Sequence, residues 1–178
     1  MTFLLISLAY AGCVFFLIAV HEVGHYLAGR LGGVSAHDMR IRLFRFPQHV
    51  ELRDSDRWVA PTTDIDTYVK LVWQYLITKP RVYFYVAGGI TMETLAVIVV
   101  CVPLLLNGQS KLALAVIYMS WCLLLPWLVI DAIAVARGRV LGDFSGLWLL
   151  AALPTAAIIA AMIGVRLGLM WWGGALPW

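Results

Sequence analysis

Charged side chains are what this 178-residue chain has least of, 13% against 62% hydrophobic, with a mean hydropathy of +0.88. A soluble domain carries about a quarter charged and about half apolar residues. The deficit excludes a water-soluble globule and leaves a polytopic membrane protein. Cysteine is scarce too: Cys13, Cys101 and Cys122 fall in apolar runs at unrelated spacings, which argues against a disulfide framework or a cysteine metal knot and for small core hydrophobes. The N-terminus lacks the basic stretch of a secretory leader, so the first apolar run is expected to stay as a span. No repeat or low-complexity stretch is evident, and a single unit over 1–178 is expected. The net charge of +3 is modest, and no nucleic-acid partner is expected.

What the chain does have is long apolar runs. They cover about 3–31, 82–106, 112–136 and 144–169, each of the order of the 20 residues that cross a bilayer. The fold class expected is all-α and polytopic, with about four transmembrane helices and a small insertion after the first. Trp171, Trp172 and Trp178 read as an interfacial aromatic belt.

The insertion, about 32–80, is the only polar part. Met39-Arg40-Ile41-Arg42-Leu43 alternates apolar and basic residues, a strand signal, and His49 to Arg53 can pair with it across Phe46-Pro47-Gln48. Ile65, Tyr68, Val69, Val72, Trp73 and Leu76 recur at helical spacing between Asp64 and Ile77, which reads as an amphipathic helix at the membrane interface, with a solvated loop as the alternative. Eleven of the thirteen Lys and Arg fall on one side of a four-span arrangement, leaving Lys111 and Arg166 for the other. By the positive-inside rule both termini lie outside and the insertion lies in the cytoplasm.

One stretch in the first run breaks its apolar character: His21-Glu22-Val23-Gly24-His25. Residues i and i+4 share a helix face, so His21 and His25 can hold one metal ion, and Glu22 beside them can take a proton from a water the metal activates. Each strongly polar group at bilayer depth costs about 2.5–3.5 kcal/mol on insertion scales, so three together point to a use. By helix rise His25 lies about 9 Å and His21 about 15 Å from the end of the run, which places the motif in the cytoplasmic half.

Two imidazoles leave a catalytic zinc one protein ligand short, since three ligands and one open position are the norm. His37 and His49 lie in the polar insertion. Glu93, Asp131 and Asp143 are the acids in or beside the later runs. Asp131 lies about 8 Å inside the third run by helix rise, a depth that matches His25. Asp143 stands at the start of the fourth, where a ligand can be held rigidly or can simply cap the helix. The residues alone leave both open. Glu93 reads as a buried carboxyl bonded to a neighbouring helix, with a role beside the metal as the alternative; Gly88-Gly89 read as a site of close helix approach.

The chain resembles the site-2 protease family of intramembrane zinc metalloproteases in three places. His21-Glu22-Val23-Gly24-His25 followed by Gly32-Gly33 is similar to the family's HExGH motif. Ala87-Gly88-Gly89 up to Glu93 is similar to its AGGPxAN stretch, and Leu124-Leu125-Pro126 with a following Asp to its NLLP…DG segment. The chain departs from the pattern at Leu123 and Glu93, where the family has Asn, and at Ala132 after Asp131. The Asp143 turn, with Pro154 some ten residues on, is similar to the form small divergent members take. The resemblance implies zinc held by His21, His25 and Asp143, with Asp131 the alternate third ligand, and Glu22 as catalytic acid–base. It further implies hydrolysis of a membrane-spanning, single-span substrate within the bilayer, in a bacterial cell membrane. A proteolytically inactive, metal-containing binding protein is the alternative, and a metal transporter a weaker one, because the outer halves of the runs carry almost no polar residues. Imidazole and carboxylate also suit iron or manganese.

Overall fold

The computed structural model describes residues 2–176; Trp178 lies outside them. The elements run α1 (Thr2–Gly32), β1 (Met39–Arg42), β2 (His49–Asp54), β3 (Arg57–Val59), α2 (Ile65–Leu76), α3 (Lys79–Leu106), α4 (Ser110–Ala136), α5 (Asp143–Leu150) and α6 (Ala152–Trp172). Four of the helices, α1, α3, α4 and α6, are long and apolar enough to cross a membrane. They are apolar on all sides, as helices facing lipid are, and Leu4, Leu8, Phe15, Phe16, Val99, Val129 and Leu153 lie exposed on them. The protein is an all-α polytopic membrane protein with a small sheet after its first helix. Pro103 and Pro126 sit inside α3 and α4 without ending them, a tolerance common in membrane helices.

The fourth apolar run is two helices rather than one. It breaks at Ala151, which is extended (φ −159°, ψ 93°). Pro154 explains the break: in a continuous helix its missing N–H would leave the Leu150 carbonyl without a donor and its ring would press on that carbonyl. In the first turn of α6 Pro154 is harmless, and the Thr155 hydroxyl donates to the Ala151 carbonyl at 2.7 Å.

The chain divides into two compact units, residues 18–92 and residues 1–17 with 93–178. In the second, Leu17, Val97, Cys101, Leu105, Ala113, Ile117 and Leu169 form an apolar core. Arg166 is fully buried there, about 9 Å by helix rise from the end of α6. It is therefore an interior residue and not a loop charge for the outer side. Its Nη2 donates to Glu93 Oε1 at 2.9 Å, Nε to Ser120 Oγ at 3.1 Å and Nη1 to the Met162 carbonyl at 3.2 Å. Glu93 is thus buried and paired with a neighbouring helix.

In the unit of residues 18–92 the sheet has the order β1-β2-β3, all antiparallel. Arg40 pairs with Glu51 and Arg42 with His49 across β1 and β2: the two expected strands do pair, but residues 43–48 join them rather than Phe46-Pro47-Gln48 alone, and β3 extends the sheet beyond that expectation. Met39, Val50, Leu52 and Val59 form its buried face. Burial works against an ionised Glu51, but hydrogen bonds from Arg40, Arg42 and His49 outweigh it and hold the carboxyl below its ordinary range. Asp64 caps α2 by accepting from the Thr67 amide at 3.0 Å. The apolar face of α2, with Tyr68, Leu71, Val72 and Leu76 buried, packs on β2. The amphipathic helix is present, and its apolar side covers protein.

Candidate metal centre

His21 and His25 stand one turn apart on α1, as their spacing requires, and their Nε2 atoms lie 3.1 Å from each other. The orientation of His25 is set from α3: its Nδ1 lies 3.0 Å from the carbonyl oxygen of Tyr85. A carbonyl only accepts, so Nδ1 carries the proton, and in the neutral ring Nε2 is the basic nitrogen that a metal takes. Two nitrogens bound to one zinc at about 2.0–2.1 Å with a tetrahedral angle between them stand about 3.3 Å apart. The separation found is close to that spacing.

The neighbouring helix makes room at the same point. A Cβ on Gly89 would come within 2.4 Å of His25 Nε2 and 2.7 Å of His21 Nε2, so only glycine leaves the space in front of both nitrogens open. One residue earlier, Gly88 packs against α1: a Cβ there would meet Ala28 Cβ and the Gly24 carbonyl oxygen at 2.6 Å, and a Cβ on Gly24 would press the Gly88 carbonyl oxygen at 2.3 Å. The middle glycine of HEVGH and the first of the Gly88-Gly89 pair thus let the helices touch backbone to backbone, as small residues do in membranes. That contact brings Gly89 and the Tyr85 carbonyl to the imidazoles. The donor set, the spacing and the cradle fit a metal ion. Glu22 lies half-buried on the same turn of α1.

The two candidate third ligands differ in what they do within their own unit. Asp131, 2% exposed, accepts from the Phe144 amide at 3.0 Å through Oδ2 and from the Ser145 hydroxyl at 2.8 Å through Oδ1. It caps α5 from α4, satisfying an amide that the helix start leaves unpaired. Ser145 Oγ in turn accepts from the amides of Leu141 and Gly142, each at 3.0 Å. A Cβ on Gly142 would lie 2.8 Å from Asp131 Oδ2, so the turn needs glycine for the carboxylate to approach. Asp143 is the first residue of α5, half-buried, and the cap residue is Gly142 rather than Asp143. Asp131 and Ser145 lock the turn that carries Asp143.

His37 is exposed, and His49 Nδ1 donates to the Pro47 carbonyl at 2.7 Å within the sheet; both keep to the polar insertion. The Tyr85 carbonyl escaped sequence reasoning because a backbone group carries no residue signal, and Arg166 because an isolated Arg near the end of a run resembles a loop charge. No protein-family model, no curated protein and no solved structure matches the chain.

Proposed function

We propose that the protein is an intramembrane zinc metalloprotease of the site-2 protease type, cleaving a peptide bond of a single-span membrane protein. The observation that carries this reading is the histidine pair: two Nε2 atoms 3.1 Å apart on one helix face, with the tautomer of His25 set by a backbone carbonyl and glycine opposite. His21 and His25 would hold the ion together with Asp143, because both oxygens of Asp131 already serve the α5 turn. His21, His25 and Asp143 are of the donor types that together suit zinc. Zinc bound there would supply a Lewis acid that lowers the pKa of a bound water to about 7.

Glu22 has the residues' own chemistry to perform. It takes the proton of the attacking water and returns a proton to the leaving amine. A helical substrate must first be extended, since its peptide bonds are shielded by their own hydrogen bonds. Strand β1 lies at the edge of the sheet, and edge pairing is one way to hold an extended peptide. The charge bias supports a cytoplasmic position for the sheet and for the metal centre: with Arg166 buried, Lys111 alone stands against the eleven basic residues of the other side.

The test is Glu22→Gln in proteoliposomes with a panel of single-span substrates. The variant is expected to keep the zinc content of the wild type and to lose cleavage; unchanged cleavage removes Glu22 from this role. A metal-holding protein without turnover is the second reading. It is favoured by one observation, the engagement of Glu93 with Arg166 at a position where the resemblance calls for an Asn that handles substrate. Zinc bound by the wild type with no substrate turned over would establish it.

A further inference from the structure

Tyr85 touches the metal centre through more than its carbonyl. Its ring centroid lies 5.5 Å from that of His25, and its hydroxyl shares a short hydrogen bond with the hydroxyl of Tyr68. Both tyrosines are buried, at 4% and 8% exposure. Tyr68 belongs to α2, outside the long apolar helices, whereas Tyr85 is in the second turn of α3. A buried phenol needs a polar partner, and here two tyrosines meet that need for each other across two elements.

The flank of the Tyr85 ring is equally defined. A Cβ on Gly29 of α1 would meet Tyr85 Cδ2 at 3.3 Å, and the Met39 side chain, from β1, reaches into the same gap. The ring is therefore held by α1, by the first strand and by α2, while the carbonyl of the same residue orients His25.

We propose that Tyr68 and Tyr85 are a positioning pair for the metal ligand His25, through which the packing of α2 sets the affinity of the centre. The inference rests on the metal reading above. Neither tyrosine touches the ion; each acts by fixing the ring or the carbonyl that His25 leans on. Partners of this kind that orient a ligating His are worth about 10–100-fold in metal affinity. Loss of the Tyr68 hydroxyl, one step further out, is expected at the lower end of that range.

Tyr75 provides the control. Its hydroxyl also ties α2 to the sheet, donating to the Arg53 carbonyl at 2.7 Å, but it does not lead to His25. Purified full-length protein in detergent is titrated with Co(II) ions, and the dissociation constant and visible absorption bands are recorded for wild type, Tyr68→Phe, Tyr85→Phe and Tyr75→Phe. Thermal unfolding of the metal-free proteins is measured in parallel. Tyr68→Phe and Tyr85→Phe are expected to weaken Co(II) binding about tenfold and to shift its bands. Tyr75→Phe should leave both unchanged at a similar unfolding midpoint.

Three outcomes would overturn the inference. Co(II) binding that is equal in all four proteins sinks the positioning role and leaves the metal reading standing. Equal weakening in Tyr68→Phe and Tyr75→Phe shows a general effect of loosening α2. A wild type that takes up no Co(II) removes the metal reading, and the positioning role with it.

Discussion

Two regions keep polar side chains among apolar ones, and they do so in opposite ways. In the unit of residues 93–178 the Arg166 guanidinium meets Glu93, Ser120 and the Met162 carbonyl, so charge and hydrogen bonds are balanced within the chain. In the unit of residues 18–92 His21 and His25 turn two nitrogens of the same kind toward one point, and the adjacent helix withholds a side chain from it. The first arrangement joins helices. The second has the form of a binding site. The polar groups of both are costly in a membrane, and what separates structural from functional use is whether opposite groups or like groups converge.

Breaking the first region should have the largest effect on stability. Arg166→Leu leaves Glu93 buried without its cation, a loss of about 3–5 kcal/mol by comparison with other broken buried pairs. The double variant Arg166→Leu, Glu93→Leu should recover most of it, because well-packed apolar residues often replace a buried pair at no cost. Thermal unfolding of the single and double variants in detergent tests this, and a double variant as unstable as the single one would contradict it.

The two aspartates should separate in the same way, one by metal content and the other by stability. Asp143→Asn should abolish zinc retention with little change in unfolding midpoint. Asp131→Ala should lower stability by about 1–3 kcal/mol, the usual range for a buried group left unsatisfied, and still retain zinc. The reverse pattern of zinc content would make Asp131 the ligand.

Gly89→Ala addresses the second region directly. A methyl group in front of both Nε2 atoms should cost about 1–3 kcal/mol as overpacking, felt mainly as weaker metal binding. Equal zinc affinity in Gly89→Ala and wild type would show that the space in front of the imidazoles is not where the ion sits.

The smallest effect is expected in the sheet. The Glu51 carboxyl is held below its ordinary range in the folded chain. Its contribution is therefore present above the unfolded value of about 4.3 and is lost as pH falls through the lower folded value. Hydrogen exchange in β1 and β2 should quicken below about pH 4 in the wild type and be less pH-sensitive in Glu51→Gln.

The same contrast explains what the sequence discloses. HEVGH stands out because polar residues at i and i+4 interrupt an apolar run, and the β1–β2 hairpin because basic and apolar residues alternate; both signals are local. The three residues of β3 are too few to show a period. The break at Ala151 follows from Pro154, whose effect depends on which turn of a helix it occupies. Asp131 and Arg166 take their roles from partners 13 and 73 positions away, Phe144 and Glu93, and no pattern along the chain announces such pairings. The Tyr85 carbonyl is a backbone atom and has no signature in any sequence.

Whether the histidine pair holds a metal is read most directly by the zinc K-edge absorption spectrum of the purified protein. It should show imidazole scattering from two rings with Zn–N at about 2.0–2.1 Å, falling to one ring or to no bound zinc in His25→Ala. A protein without zinc, or a spectrum without imidazole scattering that His25→Ala leaves unchanged, would contradict it.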